Sequence, residues 1–511
     1  MSMFLKALAW VSPHAAASRM AVLSAIDVKR SYDGATMGRR GASFKGAKAD
    51  SANGALGPSL AKLRERSSDL VRNTWIGSRA VDVLTAHTIG TGITVAWKDK
   101  RLQDLWDEWC LVADIEGEKS FPGIQNVAYR SALERGDSGV RMVPRKIGSG
   151  RAVPLALQCV EGDVIATERD GVFDGKRSRL GVVLGDWNER LGYWLYKDHP
   201  SEPTLWKTPQ LIPDFVERRD FCHIYRPLRA GQVRGVPLLA PVMQSTRDYY
   251  DALDAMVVKL RMEACYGMII NSNDPVAGVA AAAARKDRDG RNIEGMAPGM
   301  IYRAALGETV TAFSPSGAGQ FEPVGMTALM GIASGGMITY DQLTGDLRQA
   351  SYSSMKAGER IFKRLVEQQQ WLTLVPMLMH RVTERWLDIA IAAGKVKERK
   401  APYLREYVMP AVVPIDPLKD LKADILAVRA GRISPQEFIN EWGRDWRKVL
   451  AETKQFWADA DKDGLVLDID PRRVDQLGAA QKDPDAKEDV ASDDDTPADG
   501  TEKQPADSEA R

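Results

Sequence analysis

Two short arrangements in this sequence have residue types and spacing that could do chemistry. Ser353-Ser354-Met355-Lys356 is an S-x-x-K set, in which a lysine one helical turn away can take the proton of a serine hydroxyl. No Ser-Asp-Asn or Lys-Thr-Gly companion follows it, so catalysis is not expected there. Asp459, Asp461, Asp463, Gly464, Val466 and Asp470 fall at positions 1, 3, 5, 6, 8 and 12 of a calcium loop. Position 12 normally carries a bidentate glutamate and leads into a second helix. Asp470 is one carbon shorter and Pro471 follows at once, so the stretch reads as a solvated acidic turn with no metal. The sequence has no GxxxxGK[ST] phosphate loop, no HExxH and no GxSxG elbow, and His14, His87, His199, His223 and His380 are scattered. Cys110, Cys159, Cys222 and Cys265 share no CxxC spacing and read as reduced thiols, not as a zinc ribbon or disulfide framework. No catalytic, cofactor-binding or metal-binding residues are expected.

The elements around these residues follow from periodicity. A helical pattern starts at Pro58 with Leu60, Leu63, Leu70 and Val71, and a second runs from Ile76 to His87 and stops at Gly90-Thr91-Gly92. A third, Arg101 to Leu111, carries Leu102, Leu105, Trp106 and Trp109 at i, i+3, i+4 and i+7. That spacing makes the tryptophans core residues rather than a base-stacking platform. Short β-type runs at Gly139–Val143, Val153–Val160, Gly181–Leu184, Tyr193–Tyr196 and Phe221–Tyr225 alternate with turns. A long helix is expected over 238–266, a short one within 325–336, and a long helical pattern over Tyr352 to Gly394 that Pro376 should kink. Further helices are expected at 418–430 and 434–458, the second opened by Ser434-Pro435-Gln436-Glu437. The fold class is α+β, predominantly helical.

The chain has 511 residues, 44% hydrophobic and 27% charged, enough for more than one core. Its formal net charge of +1 hides an uneven split. From Asp475 onward there are 12 acidic and 4 basic residues, a net of −8, which leaves +9 on the rest. That tail reads as disordered, and the body as mildly basic rather than a tight DNA binder. Ser12-Pro13-His14 interrupt the first apolar run, so a secretory leader is not expected. No run approaches the ~20 apolar residues of a membrane span. A protein made and used in the cytoplasm is therefore expected.

Several stretches, read in order, resemble the lambda-type portal proteins of tailed bacteriophages. They are Arg30-Ser31-Tyr32-Asp33-Gly34-Ala35 with Arg39-Arg40, then Leu63-Arg64-Glu65-Arg66-Ser67-Ser68-Asp69-Leu70-Val71-Arg72-Asn73 continuing to Gly90-Thr91-Gly92-Ile93. His223-Ile224-Tyr225-Arg226-Pro227 with Gly231-Gln232-Val233-Arg234-Gly235-Val236-Pro237 follows, then Leu343-Thr344-Gly345-Asp346-Leu347 with Ser351-Tyr352-Ser353-Ser354, and Gly464-Leu465-Val466-Leu467-Asp468 near the end. Phe44 stands where the family usually has Trp, and Met337-Ile338-Thr339-Tyr340 replaces a Gly-Val-Pro type turn.

The resemblance implies a portal fold with wing, stem, clip and crown regions, assembled as a ring that is twelve-fold in the family. Its regions map as an N-terminal arm (1–57), wing (58–237), stem helix (238–266), clip (267–324), second stem helix (325–338), channel loop (339–354), long wing helix and connection (355–417), helical crown (418–474) and acidic tail (475–511). It implies a conduit at the capsid vertex through which double-stranded DNA is packaged and ejected without sequence specificity. The implied partners are other copies of the chain, the terminase large subunit, head–tail connector proteins and a major capsid or scaffold protein, with no membrane. The implied location is the virion, and the host cytoplasm during assembly. Arg348, Gln349, Ser351 and Lys356 are the candidate channel residues. Arg285, Lys286, Arg288 and Arg291 are the candidates for docking the terminase or connector. The alternatives are another head or tail structural subunit, or a DNA-packaging nuclease or motor. The motor would need the missing phosphate loop, and the nuclease clustered carboxylates.

Overall fold

The main core is built from the helices of the first unit and two small sheets, and the buried residues of each helix define the face it turns inward. In this computed structural model the described residues are 49–202, 212–264, the strand residues 268–272, 285–286, 292–293 and 308–312, then 321–348, 350–411, 414, 416–465, 467, 469–470 and 472–473. They divide into two compact units, one ending at Lys422 and one beginning at Ala423. No described helix is long and apolar enough to cross a membrane.

In the first unit, α1 (Leu60–Asn73), α2 (Trp75–Ile89), α3 (Lys100–Leu111) and α4 (Phe121–Arg135) are separated by capping residues. Thr74 caps α2 by accepting from Gly77 N at 3.1 Å, and Asp99 caps α3 by accepting from Leu102 N. The tryptophans of α3 are core residues, as their spacing predicts. Trp106 and Trp109 are buried with Phe121 of α4 and Trp386, at ring separations of 5.0–6.3 Å, and the Trp109 indole donates to the Leu155 carbonyl at 2.9 Å.

β1 (Thr94–Trp97) follows α2. The strand region then gives β2 (Asp137–Pro144), β3 (Leu155–Glu161), β4 (Gly171–Phe173), β5 (Lys176–Arg179), β6 (Val182–Leu184), β7 (Arg190–Leu195), β8 (Asp214–Glu217) and β9 (Phe221–Tyr225). All pairings between these strands are antiparallel. One sheet has the order β3-β2-β9, and the other is a five-stranded meander β4-β5-β6-β7-β8. In the first sheet Gly139 lies opposite His223, and Asp137 opposite Tyr225.

Helix α5 runs from Met243 to Ala264, starting five residues later than expected, because residues 238–242 beside Pro237 and Pro241 are held in successive turns. Beyond it, β10 (Met268–Ser272) pairs with β13 (Glu308–Ala312), and β11 (Arg285–Lys286) with β12 (Asn292–Ile293). Helix α6 (Phe321–Gly335) is followed by α7 (Tyr340–Thr344), a short helix inside the stretch expected to be loop.

The long helical pattern is real but has three parts: α8 (Tyr352–Gln369), a ten-residue π-helical stretch Gln370–Met379, and α9 (His380–Ala392). Pro376 lies in the π stretch. Wider turns there suit a residue that lacks an N–H and whose ring would meet the carbonyl one α-turn back. β14 (Arg405–Val408) then returns to pair with β1.

Helix α10 (Pro417–Arg429) leads into the second unit, which holds α11 (Pro435–Glu441) and α12 (Trp446–Lys462). The single helix expected over 434–458 is split. Gly443 takes φ 71°, a left-handed value that ends α11, and Asp445 caps α12 by accepting from Arg447 N. Among the described residues of this unit only Ala460 and Asp470 are buried.

Candidate functional site

The candidate channel segment lies between α7 and α8. Gly345 ends α7 in a left-handed conformation, and Ser351 starts α8 with a capping box in which Ser354 N donates to Ser351 Oγ at 3.2 Å. Between them Arg348 is exposed but not unpartnered. Its Nε and Nη2 donate to the two carboxylate oxygens of Asp346, both at 2.9 Å, and its Nη1 reaches Glu322 Oε1 of α6 at 3.4 Å. The Arg348 hydrogen bond holds the Asp346 carboxyl well below its ordinary range, so the pair is fully ionised. The Lys356 ammonium donates to the Asp420 carboxylate and to the Tyr352 hydroxyl. These contacts, Asp420 first, raise its pKa. A lysine held protonated in this way is no base for Ser353, so the S-x-x-K spacing has no nucleophile-activating geometry. Ser351 serves as a helix cap, and Gln349 lies outside the described residues.

Arg285 and Lys286 form β11, opposite Ile293 and Asn292, while Arg288 and Arg291 lie outside the described residues. In the calcium-loop lookalike, Asp459 and Asp461 sit on the last turns of α12 rather than in a loop. Arg472 donates to Asp461 and Asp470, and Arg473 donates to Asp461 at 2.9 Å, so guanidinium groups occupy two of the carboxylates that a cation would need.

Sequence reasoning missed a buried ionic centre at the start of β2. Asp137 is completely buried, and three distant stretches of the chain deliver two cations and a neutral imidazole to it. Arg234 Nε donates to Asp137 Oδ2 at 2.6 Å, Arg64 Nη2 of α1 to Oδ1 at 2.5 Å, and His223 Nε2 of β9 lies 3.2 Å from Oδ2. The remaining donors of Arg234 reach the carbonyls of Gly162 at 2.7 Å and Leu180 at 2.9 Å. Burial alone would raise the Asp137 pKa, but Arg234, Arg64 and the His223 hydrogen bond hold it well below the carboxylate range. Burial pushes the His223 imidazole down to about 3, against the pull of Asp137, so it is neutral. Its Nδ1 lies 2.9 Å from Arg190 Nη1. Arg64, His223 and Arg234 all stand in stretches that carry the resemblance, so three distant pieces of the pattern meet at one carboxylate. The available signal was Arg64 with Ser67 and Ser68 on the apolar side of α1.

Beside this centre Glu161, Asp163 and His199 bring potential ligand atoms within 4.8 Å of one another. Arg135 Nε already lies 3.1 Å from Glu161 and 2.7 Å from Asp163, so this cluster is an arginine-bridged carboxylate pair. None of these groups forms a nucleophile–base arrangement; the geometry is that of fixed, compensated charge.

A model of the lambda family of phage portal proteins matches residues 37–370. Portal protein B of Escherichia phage lambda is 22% identical over 463 residues, covering 79% of this chain and 84% of that protein. The probable portal protein of Halomonas phage phiHAP-1 is 25% identical over 421 residues, covering 75% and 77%. Among solved structures, a chain of a native gene transfer agent virion matches with a TM-score of 0.42 at 16% identity, over 75% of this chain and 93% of that one. An HK97-family portal protein from Corynebacterium diphtheriae matches with a TM-score of 0.32 at 9% identity, over 69% and 95%. With the family match spanning well over half of its residues, the chain belongs to the lambda family of phage portal proteins.

Proposed function

We propose that this portal protein assembles as a closed ring at the capsid vertex and conducts double-stranded DNA, while a separate terminase motor drives packaging. The observation that carries the reading is the family match over residues 37–370, which includes the whole candidate channel segment. In this reading α5 and α6 are the stem helices, residues 267–324 the clip, residues 339–354 the channel loop, and α10 to α12 part of the crown. The local electrostatics support it. Each phosphate neutralised by a free cation adds affinity through counterion release, and affinity is friction for a sliding duplex. Arg348 and Lys356 already hold carboxylates, so they offer DNA a balanced lining. Arg285 and Lys286 pair as β11 with β12; in this reading they belong to the clip and meet an acidic terminase or connector surface.

Electron microscopy of the purified protein tests the assembly: closed rings with one rotational symmetry are expected, and a stable monomer at high concentration overturns the reading. ATP hydrolysis or magnesium-dependent DNA cleavage by the purified chain would return it to the packaging enzymes.

A further inference from the structure

One exposed surface outside the candidate channel concentrates positive charge that conduction does not use. β1 and β14 pair so that Trp97 lies opposite Arg405, and Lys98 N donates to the Leu404 carbonyl at 3.1 Å. Asp99 then caps α3, which opens with Lys100 and Arg101. At the same end of the ladder the Tyr403 hydroxyl donates to the Lys397 carbonyl at 2.7 Å, and the Arg399 guanidinium lies 3.5 Å from the Tyr403 ring centroid. These contacts tie Lys395-Val396-Lys397-Glu398-Arg399-Lys400 to the edge that carries Lys98, Lys100 and Arg101. The two segments hold seven cations and two acids, all exposed. Lys98, Lys100, Arg101, Lys395, Lys397 and Lys400 make no ion pair among the described residues, in contrast to Arg348 and Lys356.

A surface of this charge binds duplex DNA or an acidic polypeptide. The chain itself supplies the second: residues 475–511 carry 12 acids against 4 bases. Fully extended, those 37 residues span at most about 130 Å. In a ring every patch meets its neighbours' tails at the high local concentration of a linked system. We propose that the basic edge formed by residues 98–101 and 395–400 docks the acidic segment 475–511 of a second copy. This keeps the patch from retaining DNA. The inference rests on the ring reading.

Zero-length carbodiimide cross-linking of the full-length protein, mixed from light and heavy isotope-labelled copies, tests it. Light–heavy links are expected between Lys98, Lys100, Lys395, Lys397 or Lys400 and the acids of 475–511. Their yield should fall severalfold between about 20 mM and about 500 mM salt as screening tightens. They should be lost in a Lys395→Glu, Lys397→Glu, Lys400→Glu variant that melts at the parent temperature. Links confined to single copies, links indifferent to charge reversal, or patch lysines protected only by added duplex DNA would each overturn the proposal. Native mass measurement of the same sample reports the ring separately, so rings without tail links sink the docking alone, and monomers sink the ring.

Discussion

Asp137 carries an unusual burden for one side chain: a fully buried carboxylate balancing Arg234 and Arg64 while holding His223. Removing its charge leaves the buried Arg234 without its counterion and Arg64 with only Asp163, 3.6 Å away. Asp137→Asn is therefore expected to cost about 3–5 kcal/mol of stability, the range for breaking a buried pair from one side, read as a lower denaturation midpoint at unchanged slope. Arg234→Leu should also destabilise, because it leaves the buried carboxylate with Arg64 as its one guanidinium partner and the Gly162 and Leu180 carbonyls without their donor. His223 sets a second expectation. Its folded pKa of about 3 lies below its ordinary 6.5, so between those values the unfolded chain binds the extra proton. Stability should fall as the pH drops from about 6.5 toward 3. The Asp137 contribution, present above its ordinary 3.8, is lost only below that value as the pH falls through its lower folded pKa. His223→Gln should flatten the upper window, measured as denaturation midpoint against pH. A persistent slope there would assign the effect to other groups.

The elements show which sequence signals are strong and which are weak. The i, i+3, i+4, i+7 tryptophan spacing of α3 and the Ser434 capping box were legible because each is local, and the box forms, with Glu437 N donating to Ser434 Oγ at 3.1 Å. Ser434→Ala should cost about 1 kcal/mol, seen as faster amide exchange in α11 without a change elsewhere. Helix α4 was not legible. Its buried face includes Gln125, Ala128 and Ala132, and Gln125 is inside because its amide bridges both the N–H and the carbonyl of Ile93, at 2.8 and 3.0 Å. Phe121, Ile124, Tyr129 and Leu133 share that face, but a buried polar residue that satisfies a distant backbone interrupts its apolar pattern. Asp137 was invisible because its partners come from residues 64, 223 and 234 and no spacing rule reaches that far. Gly235 belongs to this long-range class as well. A Cβ there would run into the Gly136 carbonyl, so Gly235→Ala should destabilise by about 1–3 kcal/mol through overpacking, measured by thermal melting.

At the scale of the whole molecule, the question is how a basic body lets DNA slide. The body carries a net +9 once the acidic tail is set apart, yet the two cations nearest the candidate channel turn are neutralised within the chain, Arg348 by Asp346 and Glu322, Lys356 by Asp420. If that compensation is what keeps the lining slippery, releasing the cations should make it sticky. Asp346→Asn and Glu322→Gln with Asp420→Asn free both, at part-exposed pairs of the kind that contribute about 0–1 kcal/mol each to stability, so the fold should be retained. Each freed cation that then neutralises a phosphate steepens the dependence of log affinity on log salt by about 0.9. Duplex-DNA binding by the assembled variant, titrated across salt, should show a steeper slope and tighter low-salt binding than the parent. The Asp346→Asn, Arg348→Gln double substitution should then restore shallower behaviour at that position. An unchanged slope in both variants would mean that Arg348 and Lys356 do not face DNA, and that the compensated turn between α7 and α8 serves helix capping alone.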